Sequence, residues 1–309
     1  MDLATIIGSV VSSLAVALPA AAWLSRTLIG HRLDKDLAQF KSALDADRAR
    51  LDAEIRQRVE TELGERSAMR EYEFEARSRL YSAIGPLRFQ LLLACRDLAG
   101  RVERRGLSDE HYSMSVDGYY GRSSLFRILR PLCLSEMIER QIAFADFSVD
   151  DGAVALLRFK RAAFTALSGG LLVGDHPKVN WNEQREHVFI DNLTRCANVL
   201  MDETEAGHRV LASHEFGDYL DDKANVAKVA PFPDILEDFS PSSKPLFWVR
   251  LVGYGLLCSQ FVNKEGATVG FEQSRFPTRD LLAESNDPVI TAQLDEYEQR
   301  CGQLTDLKL

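Results

Sequence analysis

The sequence predicts an all-α protein with a single N-terminal transmembrane helix, a long coiled-coil-like helical stalk and an α-helical cytoplasmic domain. Residues 3–24 contain no charged side chain, whereas residues 31–81 are rich in charge and contain no proline. Most of the later apolar segments have the length and spacing of amphipathic or buried helices. The predicted boundaries are 1–27 for the anchor, 28–84 for the stalk and 85–309 for the domain.

The composition is that of a folded protein. The 309 residues are 46% hydrophobic and 27% charged, which argues against widespread disorder. The net charge of −9 excludes a bulk attraction to nucleic acid or to an anionic membrane, so any such binding needs a local basic patch. The five cysteines are scattered and form no CxxC pair. They predict buried, reduced thiols instead of a disulfide framework or a structural zinc site.

Residues 3–24 are interpreted as a membrane anchor that is retained. A secretory signal begins with positive charge and has an apolar core of about 7–15 residues. Here the only charged side chain before the apolar run is that of Asp2, which is negative, and the run is longer than the core of a signal. Its length suits a helix that crosses a bilayer, which needs roughly 20 residues. The basic residues that follow place the C-terminal side in the cytoplasm. We therefore expect a single pass through the bacterial inner membrane, with the N-terminus outside. A cleaved signal and a soluble core helix are the alternatives.

Small and hydroxyl-bearing side chains recur along this anchor. Small residues four apart let helix backbones approach closely in lipid. A polar stripe faces inward when helices cluster, either as hydrogen-bonding contacts between copies or as the wall of a narrow pore. The alternative is that serine and alanine are tolerated in an ordinary single anchor. The candidate pore or helix-packing residues are Thr5, Ser9, Ser12 and Ser13.

The stalk is predicted to be one charged helix that needs a partner. Leu33, Leu37, Phe40 and Leu44 have the 4-3-4 spacing of a heptad seam, although the strict heptad does not continue beyond them. The partner is either the same helix of another copy or a helix folded back from the domain. Residues Gly85-Pro86 are expected to end or bend the helix.

The domain is predicted to be a series of helices. We expect helices over residues 182–201, 207–224, 246–263 and 288–304, among others, with a proline-rich connector over 230–245. The segment 246–262 contains Arg250 and Gln260 and is short. It is therefore interpreted as a buried core helix and not as a second membrane span.

The search for catalytic motifs is negative. The sequence has no GxxxxGK[ST] phosphate loop, no GxGxxG after a strand, no GxSxG and no HExxH. His187 and Asp191 lie four residues apart on a predicted helix and are interpreted as a surface pair, not a catalytic one. We expect a protein that is not an enzyme and uses neither cofactor nor metal. A membrane-tethered enzyme of an unrecognised type is the remaining alternative.

Basic residues are concentrated on two neighbouring predicted helices, with aromatic residues among them. Guanidinium groups suit phosphates and aromatic faces suit bases, so these helices are a candidate sensor for an anionic ligand. The alternative is that the arginines pair with nearby acids such as Glu136 and Glu139. The candidate ligand-binding residues are Arg127, Arg130, Arg158 and Arg161.

The segments SSLFRILRPLCLSEMIERQIAFADFSVDD and LLRFKRAAFTALSGG follow an anchor and a stalk. This arrangement resembles the membrane effectors of bacterial anti-phage nucleotide-signalling systems, and most of all those of the Hailong system. The resemblance implies a homo-oligomeric ion channel, for which a tetramer is one stoichiometry. A nucleotide or single-stranded DNA oligomer, made by a nucleotidyltransferase partner, would gate it from the cytoplasmic domain. The alternative function is a membrane-anchored scaffold that recruits a protein partner and conducts no ions.

Overall fold

The computed structural model describes residues 3–104, 113–143, 150–204, 207–267, 270–271 and 274–307, with side chains for all of these except 3–17, 151 and 207. Across the described residues the chain is mostly helical, and its strands form one small antiparallel hairpin. The expectation of a helical protein is therefore confirmed. The predicted coiled-coil pairing of the stalk stays a prediction.

The first helix, α1, extends from Leu3 to Glu103. It continues through Gly85 and Pro86, so the helix does not end there. A proline inside a helix costs roughly 3 kcal/mol, because it removes one hydrogen bond and crowds the preceding turn. Side chains on both sides of Pro86, from Leu80 to Val102, are buried in a hydrophobic core. Their packing outweighs the cost of the proline.

The chain forms two compact units, Met1–Tyr72 and Glu73–Leu309. The first unit is the N-terminal part of α1, and its apolar side chains from residue 28 to residue 63 are exposed. The predicted stalk was expected to extend to residue 84. The second unit begins earlier because Leu80 and Ile84 already belong to its core. The boundary between anchor and stalk at residue 27 stays a prediction.

The second unit contains the end of α1, ten further α-helices and the hairpin among its described residues. In chain order these are α2 (Tyr119–Ile142), α3 (Asp151–Ser168), α4 (Ile190–Asn198), β1 (Met201–Thr204), β2 (Gly207–Val210), α5 (Ser213–Tyr219), α6 (Lys223–Lys228), α7 (Phe232–Leu236), α8 (Pro245–Gly266), α9 (Thr278–Ala283), α10 (Pro288–Ala292) and α11 (Leu294–Gln303). Helix α8 packs against α3, α9 and α11. In the hairpin, Met201 pairs with Val210.

Helix α8 is buried along most of its length. Within the described residues, it is the one helix that is long and apolar enough to cross a membrane by length and composition. However, 89% of its apolar stretch is buried inside the protein. Its largest side chains, Trp248 and Tyr254, are fully buried. The prediction of a core helix at this position is confirmed.

The predicted anchor falls mostly on residues 3–17, whose side chains lie outside the described part of the chain. The backbone of these residues is helical. The candidate residues Thr5, Ser9, Ser12 and Ser13 all lie in this range, and their side chains are therefore outside the described part of the chain. The anchor and its polar stripe stay predictions.

Four local predictions are wrong in whole or in part. The helix expected over 288–304 is divided at Gln293 into α10 and α11, and the connector expected over 230–245 contains α7. The helix expected over 182–201 is confined to α4, because the Gln184 side chain accepts a hydrogen bond from the Phe189 backbone N–H at 2.9 Å and holds the preceding residues in a loop. The helix expected over 207–224 is instead a strand followed by α5 and α6. Asp222 caps α6 by accepting from the Ala224 N–H at 2.8 Å, which separates the two short helices.

The Asp287 side chain connects the loop before α10 to the loop after α3 through hydrogen bonds. Its buried carboxylate accepts hydrogen bonds from Lys178 Nζ at 2.7 Å and from the Val289 N–H at 2.9 Å. It also lies 3.1 Å from His176 Nε2, which is assigned as the protonated nitrogen because Nδ1 accepts from the Lys178 N–H. Burial alone would raise the pKa of Asp287, but these hydrogen bonds outweigh it and hold the pKa well below its usual value.

Replacing Asp287→Asn should lower the free energy of unfolding by about 2–3 kcal/mol at neutral pH, because a buried charged hydrogen-bond network is broken. A carboxyl with a lowered pKa contributes stability above its unfolded pKa of about 3.9, and this contribution is lost as the pH falls toward its folded pKa. The difference in melting temperature, followed by circular dichroism, should therefore shrink below about pH 4. The exposed Asp295→Asn is the control, and equal melting temperatures for Asp287→Asn and wild type at pH 7 would contradict the assignment.

Candidate functional site

Two of the four predicted ligand-binding arginines are half-buried on α2 and have partners within the protein. Arg127 Nη1 donates to the backbone oxygen of Ser123 at 2.9 Å and also to its hydroxyl. The Arg130 guanidinium lies 3.6 Å from the Asp97 carboxylate and 5.8 Å from the centre of the Phe126 ring. The Arg130 contact fits the alternative that acids of the protein pair with these arginines, although the acid is Asp97 and not Glu136 or Glu139. Arg127 instead donates to Ser123, which is not an acid.

The other two predicted arginines are exposed on α3 and face different cavities. Arg158 lines a cavity of about 200 Å³ together with Lys264 and Phe261. Arg161 lines one of about 440 Å³ next to Lys160, which pairs with Glu136 at 2.8 Å. Neither Arg127 nor Arg130 lines either cavity. The structure therefore does not bring the four arginines to one site, and their role in ligand binding stays a prediction.

A different group of cations and rings surrounds the loop between α3 and α4 and the start of α8. Two cavities lie here, of about 290 and 700 Å³, and they share Glu183 and Arg185 in their walls. We call this region the Arg250 groove. It is defined by Lys178, Trp181, Arg185, His187, Phe189, Arg195, Lys244 and Arg250.

Arg250 is a buried cation without a carboxylate in contact among the described residues. It is 1% exposed, and its Nη1 donates to the backbone oxygens of Ala166 at 3.0 Å and Gly169 at 2.7 Å. Its Nε has no partner in the described part of the chain. Burial lowers the pKa of Arg250 to about 10, and the charge of Glu186 opposes this only in part. A desolvated guanidinium of this kind favours an anion in the adjoining cavity.

His187 is held between two aromatic rings. Its ring meets Trp181 edge-on at 5.2 Å and Phe189 at 5.1 Å between centroids. The side chain is 4% exposed, and its Nε2 has no hydrogen-bond partner among the described residues. Burial, followed by the positive charge of Arg250, lowers the pKa of His187, so the imidazole is neutral at pH 7. The expected surface pair with Asp191 is not among the described contacts.

Exposed aromatic surface lies beside these charges. Trp181 is 43% exposed and its ring lies 5.9 Å from the Arg250 guanidinium carbon. Phe189 is exposed to a similar extent. Arg185 is exposed and pairs with Glu183 at 2.6 Å, and an exposed ion pair of this kind contributes little stability. The groove thus offers cations for phosphate and aromatic faces for a planar base.

Other kinds of site find no support in the described part of the chain. No group of three or more His, Cys, Asp or Glu side chains is placed there to hold a metal ion. The five cysteines are free and buried. Burial raises the pKa of Cys133 to about 12 and that of Cys196 to about 11, so these thiols are protonated and poor nucleophiles.

Sequence reasoning overlooked this groove for a physical reason. Arg250 stands out as a charge within an apolar segment, but it was used only to argue against a membrane span. Four of the remaining groove residues, Lys178, Trp181, Arg185 and His187, lie on the loop VGDHPKVNWNEQREHV at irregular spacings, and Phe189 follows it. Arg195 lies on α4 and Lys244 directly precedes α8. Because this loop is held by side-chain hydrogen bonds and not by helical ones, no periodicity marks which of its residues share a surface.

No protein-family model, curated protein or solved structure matches this chain. The comparisons therefore do not test the resemblance to anti-phage membrane effectors, which stays an expectation.

Replacing His187→Phe should make the fold less sensitive to mild acid. Because the folded pKa of His187 lies below its ordinary value of about 6.5, the unfolded chain takes up its proton first and stability falls as the pH drops below that value. The loss of melting temperature between about pH 7.5 and 5.5 should be smaller in the variant by about 2 °C or more. The exposed His208→Phe is the matched control, and an equal loss in wild type and His187→Phe would contradict the assignment.

Proposed function

We propose that this chain is a non-enzymatic, membrane-anchored signalling effector whose helical unit senses an anionic, nucleotide-type ligand in anti-phage defence. The observation that carries the proposal is the Arg250 groove. It combines a desolvated cation, further basic residues in the walls of two adjoining cavities and exposed aromatic rings beside them. The absence of a recognised catalytic motif in the sequence favours a sensor over an enzyme.

The proposed ligand matches the chemistry of the groove. Arginine forks bind phosphate oxygens in pairs, and aromatic faces stack on bases with little preference for sequence. Trp181 and Phe189 supply the faces, while Arg185 and Arg250 supply the forks. A nucleotide or a short single-stranded DNA oligomer carries both groups, and a nucleotidyltransferase would be the enzyme that makes it.

The first unit supports self-association. Leu33 and Phe40 are 65% and 67% exposed, and Leu37 and Leu44 lie on the same seam and are also exposed. A helix that presents an apolar stripe to water is poorly stable alone and gains stability by packing against another helix. We therefore propose that copies of the chain associate through this seam, with a tetramer as one stoichiometry.

In this proposal, ligand binding at the Arg250 groove controls the helix cluster that the associated first units form in the membrane. Residues 3–24 would cross the inner membrane with the N-terminus outside, and Thr5, Ser9, Ser12 and Ser13 would line the helix cluster. Ligand binding shifts the assembly between conducting and non-conducting states only to the extent that it binds one of them more tightly. In this scheme the membrane helix cluster is the ion pathway and the Arg250 groove is its control site.

The exposed seam also supports a second function. A helix of another protein fits the same apolar stripe as a second copy does, which would make the chain a membrane-anchored scaffold without channel activity. The two functions differ in one observable property. A scaffold does not let ions through a membrane under any ligand condition.

Ion flux through liposomes that contain the full-length protein should depend on a nucleotide or short oligonucleotide. The double variant Trp181→Ala/Arg185→Ala should weaken this dependence by about tenfold or more in ligand concentration, because it removes a stacking face and a cation. Dose–response curves of flux measure the change.

The matched control for this experiment is Arg158→Ala/Arg161→Ala, which removes two exposed arginines that do not line the groove. If the control variant alone loses the ligand response, the sensor is the originally predicted set of arginines. If correctly inserted wild-type protein shows no flux with any ligand, the channel proposal is wrong and the scaffold is favoured.

Placing charges on the seam should dissociate the assembly. The double variant Leu37→Glu/Phe40→Glu introduces like charges at the proposed helix–helix contact, and each should destabilise the packing. We expect a lower oligomeric mass in detergent by light scattering, with an unchanged melting temperature of the second unit. Gln39→Glu/Ser42→Glu adds the same charge to the opposite helix face and should leave the mass unchanged. An unchanged mass in the seam variant would exclude the seam as the contact.

A further inference from the structure

The N-terminus of α8 already holds an anion that comes from the protein itself. Glu186 Oε2 accepts hydrogen bonds from the backbone N–H groups of Leu246 at 2.7 Å and Phe247 at 3.3 Å. Free N–H groups and the helix dipole make such a helix start a favourable position for phosphate or carboxylate groups. The helix is 22 residues long, and Pro245 occupies its first turn.

Two buried polar side chains beside this position are incompletely bonded. Arg250 lies one turn further along α8, and its Nε has no partner among the described residues. His187 follows Glu186 directly, and its Nε2 also has none in that part of the chain. Both side chains are more than nine-tenths buried, and both line the cavity of about 290 Å³ that Glu186 and Leu246 line as well.

Glu186 accepts hydrogen bonds from the N–H groups at the start of α8, but it forms no hydrogen bond with the buried Arg250 guanidinium in the described structure. The charge of Glu186 acts to raise the pKa of Arg250, but the two side chains form no ion pair in the described structure. A carboxylate has two oxygens on a short side chain, whereas a phosphate monoester has three acceptor oxygens. A phosphate therefore has enough acceptor oxygens for both the α8 N–H groups and the Arg250 guanidinium, which line the same cavity.

We infer that Glu186 occupies a phosphate subsite at the start of α8, and that the phosphate monoester of the ligand displaces it. The inference rests on the proposed ligand-sensing function and adds a regulatory contact to it. Glu186 then acts as an internal competitor that sets the ligand concentration at which the sensor responds. The displaced Glu186 lies on the same loop as Trp181 and His187, so binding rearranges the aromatic part of the groove.

The test compares Glu186→Gln with Glu183→Gln in the full-length protein in detergent. Both variants remove one negative charge from the wall of the same cavity, but only Glu186 contacts the α8 backbone. Binding of adenosine monophosphate, glycerol 3-phosphate and adenosine is followed by Trp181 fluorescence, with Trp181→Phe identifying the signal. Melting curves confirm that the variants are folded.

Glu186→Gln should bind adenosine monophosphate and glycerol 3-phosphate about tenfold more tightly than wild type, because an anionic competitor is removed. Adenosine, which lacks the phosphate, should bind both proteins alike. Glu183→Gln should change the affinity for these two phosphate esters by clearly less than tenfold. Glu186→Asp, which keeps the charge but shortens the side chain, should also bind phosphate esters more tightly and replaces Glu186→Gln if that variant does not fold.

Equal gains in Glu186→Gln and Glu183→Gln would overturn the inference, because general charge at the rim would then explain them. No gain in either Glu186 variant would overturn it as well. These outcomes are distinguishable from failure of the proposed function. Phosphate binding strengthened by Glu186→Gln, together with wild-type liposomes that show no ligand-dependent flux, would retain the subsite and reject the channel.

Discussion

The packing of the second unit depends on the burial of α8, because this helix carries the charged side chain of Arg250 into the core. An arginine enters a core only where acceptors meet it, and Arg250 finds them in the carbonyl groups of Ala166 and Gly169 at the end of α3. Trp248 likewise donates its indole N–H to the Leu281 carbonyl at 2.6 Å. These hydrogen bonds fix where α3 and α9 lie against the apolar faces of α8, whose packing alone is non-directional.

The same constraint creates the candidate site. Helix α3 ends at Ser168, and the carbonyl groups of Ala166 and Gly169 accept hydrogen bonds from Arg250. The loop that follows α3 contacts the start of α8. Glu186 on that loop caps α8, and Trp181 covers the guanidinium. Arg250 also lines the cavity of about 290 Å³, and its Nε has no partner among the described residues. A residue that a purely structural core would not need is thereby the charge around which the candidate site is built.

Apolar side chains on α1 differ in solvent exposure between the two units of the chain. In the second unit, Leu80 and Ile84 on α1 are buried by neighbouring helices. In the first unit, Leu33 and Phe40 on the same helix are exposed. Helical periodicity alone does not distinguish these cases, because both stripes have nearly the same spacing. Only the tertiary structure shows that the stripe of the second unit is core and that the stripe of the first unit is exposed.

The sequence by itself determined the helical character of the chain, the helix over residues 31–81 and the core position of α8, because apolar spacing and the absence of proline from residues 31–81 are local properties. That α1 continues through Pro86 was decided by the tertiary structure, because packing on both sides of the proline outweighs its cost. The sequence did not determine the hairpin at Met201–Val210 or the loop before α4, where side-chain hydrogen bonds replace helical ones. Only the tertiary structure separated Arg127 and Arg158 into different surroundings and brought Arg250, His187 and Trp181 together. Their proximity depends on how distant segments pack, and no spacing within the sequence records it.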